Sequence, residues 1–153
     1  MIIIGIDPGL AGGFAIFNKN KNEALSFTTM ADVCLRFDYL RSQMSMQVIK
    51  AYIEEPPVFF KGAGGGLASQ AKLHRNFGQY EGILIGLGIP FETVSPQKWQ
   101  KGLSGLAKLT GKDRKKALHN LAVQRYPQLK PTLKTCDAIL IAEYGLKQIR
   151  EIL

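Results

Sequence analysis

The sequence contains few cysteines, few histidines and few acidic residues, and each shortage excludes a class of protein. Cys34 and Cys136 are about a hundred positions apart and form no metal-spaced pair, which is typical of a reduced intracellular protein. His74 and His119 have no second histidine at ligand spacing, so we interpret both as ordinary surface or packing residues. No apolar run approaches the roughly 18 residues of a membrane span, and no signal-peptide pattern opens the chain. We expect a cytoplasmic protein without a membrane partner.

The shortage of acidic residues leaves the chain strongly basic. Lys and Arg number 20 against 12 Asp and Glu, a formal net charge of +8, and this surplus favours a polyanion as partner. The length of 153 residues, of which 46% are hydrophobic, suits one globular domain over residues 1–153. Two large domains do not fit, which disfavours an actin-like kinase.

The first thirteen residues organise the rest of the chain. Residues 2–6 are rich in isoleucine and predict a central strand buried on both faces, with Asp7 at its end. Pro8 and Gly9 then break the strand, and Gly13 to Asn18 alternates as a returning strand. A carboxylate in this position needs water, a cation or hydrogen-bond donors. A hairpin Asx turn is an equally good interpretation of Asp7 on this stretch alone.

Hydrophobic periodicity predicts an α/β protein in which an antiparallel meander comes first. The further predicted elements are a strand over Glu23 to Thr28, a helix over Ala31 to Met46, a strand over Val48 to Ile53, a helix over Leu67 to Gly86, a strand over Ile89 to Val94, a short helix from Ser95-Pro96, a helix over Asp113 to Tyr126 and a helix over Leu133 to Leu153. Gly78 and Gly82 form a small stripe that allows either packing on the sheet, which we favour, or a subunit interface.

Half of the basic residues lie between Val94 and Lys134, where Asp113 is the single acid. A positively charged surface of this size repels itself, so we expect it to contact phosphates and not only water. Trp99 lies within this stretch and either anchors its turn, which we favour, or stacks on a base. The expected DNA contacts from this stretch are Lys98, Lys101, Lys108, Lys112, Arg114, Lys115 and Lys116.

Three acids, Asp7, Glu54 and Asp137, each stand at the end of an apolar element. If the first two end adjacent strands, their carboxylates lie side by side, and a helix packed on the sheet can bring Asp137 to them. Clustered carboxylates repel one another unless a divalent cation is present, and Mg²⁺ held in this way is a recurring arrangement for cleaving phosphodiesters. The alternative for Asp137 is a capping carboxylate favoured by the helix dipole.

These motifs together resemble the RuvC-type Holliday-junction resolvases, particularly their small phage-encoded members. The matching segments, in order over nearly the whole chain, are Ile4-Gly-Ile-Asp-Pro-Gly9, Tyr52-Ile-Glu-Glu55, Gly78-Gln-Tyr-Glu-Gly82, Val94-Ser-Pro-Gln-Lys-Trp99 and Cys136-Asp-Ala-Ile-Leu-Ile-Ala-Glu-Tyr-Gly145. The resemblance implies an RNase H-like fold: a five-stranded mixed sheet, an antiparallel meander followed by parallel strands, with helices on both faces. It also implies a homodimer that uses Mg²⁺ or Mn²⁺ to make paired cuts in four-way DNA junctions during recombination and repair.

Residue by residue, the family's catalytic acids and metal ligands fall on Asp7, Glu54 and Asp137. A further acid is usual three residues before the last, and here that position is Lys134, which we expect to face the metal site as a catalytic cation. Glu55, Asp113 and Glu143 are candidates to replace the missing acid, although Glu143 should face away from Asp137 on the helix.

A glycine-rich loop follows the second acid and carries Phe59, Phe60 and Lys61. The two phenylalanines either wedge into the open centre of a junction and stack on a base, with Lys61 on a phosphate, or fold back as core.

Two other functions stay open at this point. One is a junction-binding protein without catalysis, which Lys134 favours. The other is a different RNase H-like nuclease acting on RNA or on branched DNA of another shape.

Overall fold

A computed structural model describes residues 1–9, 12–18, 22–26, 29–42, 49–57, 66–106 and 108–150. Phe59, Phe60 and Lys61 lie outside the described residues, so the prediction that they contact DNA is untested by the fold.

The five strands form one mixed sheet in the order β3-β2-β1-β4-β5. Their bounds are β1 Ile2–Asp7, β2 Gly13–Phe17, β3 Glu23–Leu25, β4 Ile49–Glu54 and β5 Phe91–Val94. The first three strands pair antiparallel, whereas β4 pairs parallel with both β1 and β5. The predicted meander followed by parallel strands is therefore confirmed.

Helices cover both faces of this sheet, as predicted. Their bounds are α1 Met30–Ser42, α2 Leu67–Gly86, α3 Pro96–Gln100, α4 Gly111–Arg125 and α5 Cys136–Arg150. One core cluster joins α3, α4 and α5 to alternate residues of the strands, such as Ile3 and Tyr52. The other joins α1 and α2 to the residues between them, such as Ile4 and Ile53. Because β1 is buried on both faces, its run of isoleucines has a direct structural cause.

The last helix packs close to the sheet because a glycine lies on each side of the contact. A Cβ on Gly5 of β1 would lie 2.2 Å from the carbonyl oxygen of Ala138, and one on Gly145 would lie 2.3 Å from the Tyr52 ring. These two positions let α5 rest on β1 and β4, and that contact fixes where the first turn of α5 meets the sheet.

Some predicted boundaries are wrong. The last helix begins at Cys136 and not at Leu133, because the preceding residues form a turn held by two threonine side chains. The Thr132 amide donates to the Thr135 hydroxyl at 3.0 Å, and the Lys134 amide donates to the Thr132 hydroxyl at 3.2 Å. The Cys136 amide also donates to the Thr132 carbonyl oxygen at 2.9 Å, so this turn caps the start of the helix.

The preferred interpretation of the glycine stripe on α2 is also wrong. Tyr80 and Leu84 are the buried residues of that helix, whereas Gly78 and Gly82 are exposed. A Cβ on either glycine would meet nothing within 4 Å. The stripe therefore faces away from the sheet. No helix in the described ranges has the length and apolar character to cross a bilayer.

Candidate carboxylate centre

The sheet and α5 bring the three predicted acids together. In the parallel pair of β1 and β4, Ile6 is opposite Ile53, so the next residues, Asp7 and Glu54, end neighbouring strands at the same edge. Asp137 lies in the first turn of α5, which packs on β1. Burial raises the pKa values of Asp7 and Glu54, and the nearby charge of Asp137 raises both of them further.

Asp7 is held in place by the turn that follows β1. Its Oδ1 accepts a hydrogen bond of 2.9 Å from the Gly9 amide, so the Asx turn is present as well as the acid cluster. The side chain is only 13% exposed. Burial and the nearby charge of Asp137 raise the pKa of Asp7, and Lys115 and the Gly9 amide only partly oppose this shift.

Glu54 is strongly perturbed by its surroundings. Burial, followed by the charges of Asp7 and Asp137, raises the pKa of Glu54 to about 8. The indole Nε1 of Trp99 donates a hydrogen bond of 2.7 Å to Glu54 Oε2. Trp99 is itself buried, so this residue is an anchor, as predicted, and it also fixes the orientation of the carboxylate.

Asp137 contacts a lysine that the sequence predicted to bind DNA. Lys115 Nζ on α4 lies 2.5 Å from Asp137 Oδ2 and 3.8 Å from Asp7 Oδ2. Burial lowers the pKa of Lys115, but the charges of Asp137 and Asp7 outweigh burial and raise it overall. The Cys136 thiol donates to Asp137 Oδ1 at 3.3 Å. The ammonium therefore lies inside the acid cluster.

A divalent cation fits the chemistry of these donors but not their present arrangement. Within the described part of the chain, no three His, Cys, Asp or Glu side chains form a group that could hold a metal ion. Yet the three acids supply carboxylate oxygens, the donors that Mg²⁺ or Mn²⁺ binds, and the charge of Asp137 acts on both Asp7 and Glu54. The Lys115 ammonium lies against two of the three acids, where a metal ion would have to displace it.

Lys134 lies in the turn before α5, with an exposed side chain. Because the helix starts two residues later, the reasoning from helical spacing that placed Lys134 beside Asp137 does not apply. Among the described residues, the ammonium of Lys115 is the cation that contacts the acids. A catalytic role for Lys134 stays a prediction.

The other candidates for a fourth acid lie elsewhere. Glu143 pairs with Arg125 at 2.8 Å and with Lys147 at 2.6 Å, so its carboxylate is engaged away from the cluster. Glu55 and Asp113 are both exposed.

The predicted DNA contacts divide into exposed and engaged residues. The exposed side chains are Lys101, Lys108, Lys112 and Lys116. Lys98 is also exposed, and it pairs with Glu92 at 2.9 Å. Arg114 donates to the side chain of Gln100 and, at 3.2 Å, to the carbonyl oxygen of Leu109. Arg114 and Glu54 both line an open cleft of about 510 Å³.

Sequence reasoning missed several partners of the acids. Besides Trp99 and Lys115, Tyr80 of α2 approaches from the other face of the sheet, where burial and the charge of Asp7 raise its pKa to about 12. Little in the sequence indicates this role for Lys115. It stands in a run of charged residues at 112–116, which predicts contact with DNA phosphates.

Comparisons with known proteins identify the fold. No family model and no curated protein matches the sequence. Among solved structures, the chain is similar to Thermus thermophilus RuvC, with 16% identity and a TM-score of 0.61. It is also similar to T. thermophilus RuvC in complex with a Holliday junction substrate, with 15% identity and a TM-score of 0.59. Each match covers 99% of this chain and 96% of the other. The chain therefore has the RuvC variant of the RNase H-like fold.

Proposed function

We propose that this protein is a structure-selective endonuclease that cleaves four-way DNA junctions by divalent-metal-assisted phosphodiester hydrolysis. The observation that carries the proposal is the convergence of Asp7, Glu54 and Asp137 at one edge of a RuvC-like sheet. A solved RuvC of the same fold is bound to a Holliday junction substrate. Partly buried, mutually repelling carboxylates are costly to keep in a purely structural role, which supports a catalytic one.

Asp7, Glu54 and Asp137 would hold Mg²⁺ or Mn²⁺. Such an ion, when bound, supplies a Lewis acid that stabilises charge developing on the phosphate. The protein's own contribution is orientation: the Gly9 amide fixes Asp7 and the Trp99 indole fixes Glu54 before substrate arrives. Hydrogen bonds of this kind keep the carboxylates in place despite their repulsion.

The exposed lysines would hold the arms of the junction through phosphates. Lys101, Lys108, Lys112 and Lys116 are free to reach a polyanion, and the net charge of +8 favours its approach. Phosphate contacts position a protein without reading sequence, which suits recognition of a branched shape. Lys134, exposed in the turn before α5, would add a further cation to this surface.

A homodimer would supply the second cut. The exposed Gly78 and Gly82 allow a second helix to approach α2 closely, and Ile85 on the same helix is 68% exposed. Two-fold symmetry would then present two carboxylate centres to two opposed strands. We propose that the α2 surface forms this interface, and we expect the protein to act in the cytoplasm on recombining or damaged DNA.

A second candidate function is junction binding without cleavage. Its support is that Lys115 occupies the acid cluster and that Lys134 stands where the resembling family has a further acid. A protein that keeps the fold and basic face while neutralising its carboxylates would bind junctions and leave them intact.

A panel of synthetic substrates distinguishes these functions. Purified protein is mixed with a four-way junction, a three-way branch, a linear duplex and an RNA–DNA hybrid, each with and without Mg²⁺ or Mn²⁺. We expect symmetric cuts in the four-way junction only when a metal ion is present. Binding without cuts would favour the second candidate, and preferred cutting of the hybrid would indicate another RNase H-like activity.

A further inference from the structure

The ammonium of Lys115 bridges two of the three acids. Its Nζ lies 2.5 Å from Asp137 Oδ2 and 3.8 Å from Asp7 Oδ2. The Lys115 side chain is 34% exposed, and the two carboxylates are 13% exposed. This ion group is therefore sheltered from water, and salt screens it less than it would screen a pair on the surface.

A divalent cation held by Asp7 and Asp137 would bind through the same carboxylate oxygens that the ammonium contacts. Mg²⁺ binds carboxylate oxygens at about 2.0–2.1 Å, so the ammonium on Asp137 Oδ2 fills a position that the ion would take. An ammonium and a divalent ion on the same carboxylate oxygen would repel each other strongly in a sheltered site. A divalent ion can bind both Asp7 and Asp137 only when the ammonium moves away.

We propose that Lys115 is a tethered cation that stabilises the carboxylate cluster in the metal-free protein and is displaced when a divalent ion binds. The inference rests on the proposed metal-dependent function. The flexible stem of lysine suits this exchange, because side-chain rotation alone can withdraw the ammonium while α4 stays in place. Lys115 thus lowers the apparent affinity of the site for metal.

Calorimetric titration of Mn²⁺ into the DNA-free protein tests the competition. Lys115→Met removes the charge but keeps an unbranched side chain, and we expect it to bind Mn²⁺ about tenfold more tightly than the wild type, or better. Lys72→Met is the matched control, because Lys72 is an exposed lysine on α2 and its loss changes net charge equally. Its Mn²⁺ affinity should change by less than about twofold, since an exposed charge is screened.

A measurement on the wild type avoids dependence on the folding of the variant. Lysines are acylated with a limiting reagent and the modified sites are counted by mass spectrometry, with and without Mg²⁺. We expect Mg²⁺ to increase the acylation of Lys115 several-fold and to leave that of Lys72 unchanged.

Two results would overturn the inference: equal Mn²⁺ affinity in the wild type and Lys115→Met, or acylation of Lys115 that Mg²⁺ does not increase. In both cases measurable Mn²⁺ binding leaves the proposed function intact. If neither protein binds Mn²⁺ at millimolar concentration, the inference and the metal-dependent function fail together.

Discussion

Replacing Glu54 by glutamine should stabilise the metal-free protein, and the gain should grow with pH. The pKa of this carboxyl is raised from 4.5 to about 8 in the folded state, chiefly by burial and then by the charges of Asp7 and Asp137. Between these two values the unfolded chain releases the proton while the folded protein keeps it. Stability contributed by the protonated group is therefore complete below about pH 4.5 and falls as pH rises towards 8.

The size of the effect follows from the shift. Raising the pKa of Glu54 from 4.5 to about 8 sets an upper limit of about 5 kcal/mol on the stability lost above pH 8. Glutamine is neutral at every pH, and its oxygen can still accept the hydrogen bond that Trp99 donates to Glu54. We expect Glu54→Gln to gain about 2–4 kcal/mol at pH 8.5 and almost nothing at pH 4.5.

Urea unfolding in the presence of EDTA measures this difference at both pH values. Glu55→Gln is the control, because Glu55 is adjacent in sequence but exposed, and its replacement should change stability by less than about 0.5 kcal/mol. If Glu54→Gln and the wild type lose stability in parallel between pH 4.5 and 8.5, Glu54 is not held protonated in the fold, and the argument from clustered acids fails.

Three further predictions concern the residues around the centre. Replacing Lys112 and Lys116 together by glutamine should weaken junction binding and flatten the plot of log affinity against log salt by about 0.9 for each phosphate that the protein no longer neutralises; an unchanged slope would mark them as a solvated face. Replacing Phe59 and Phe60 by alanine should cost about 1–3 kcal/mol of junction affinity for each stacked ring, with little change in melting temperature; a large drop in melting temperature would identify them as core. Lys134→Asp should raise the number of Mn²⁺ ions bound per chain and increase cleavage; equal stoichiometry and equal turnover would show that Lys134 lies outside the centre.

Much of the fold was predictable because its signals are local. The isoleucines of β1 and the break at Pro8 and Gly9 predict a buried strand that ends in an acid, and Glu54 repeats the pattern at the end of β4. Once both strands are parallel neighbours, the meeting of Asp7 with Glu54 follows from their matching ends.

The remainder of the centre depends on contacts between residues far apart in sequence. Trp99 reaches Glu54 across 45 positions, and Lys115 reaches Asp137 across 22. Hydrophobic periodicity does not indicate either contact, because each depends on how α3 and α4 pack beside α5. The expectation for Lys134 relied on helical spacing, which a turn held by threonines interrupts.

Single-turnover cleavage of a synthetic four-way junction by Asp7→Asn tests the central claim most directly. This change removes one carboxylate of the centre and leaves the size of the side chain almost unchanged. Asp38→Asn, on the exposed side of α1, is the matched control. We predict Mg²⁺-dependent paired cuts by the wild type and by Asp38→Asn. For Asp7→Asn we predict near-normal junction binding but much slower cleavage. The rate should fall by more than the roughly 100-fold that is lost when a residue supporting a metal ligand is replaced. Cleavage by Asp7→Asn at the wild-type rate would contradict the account.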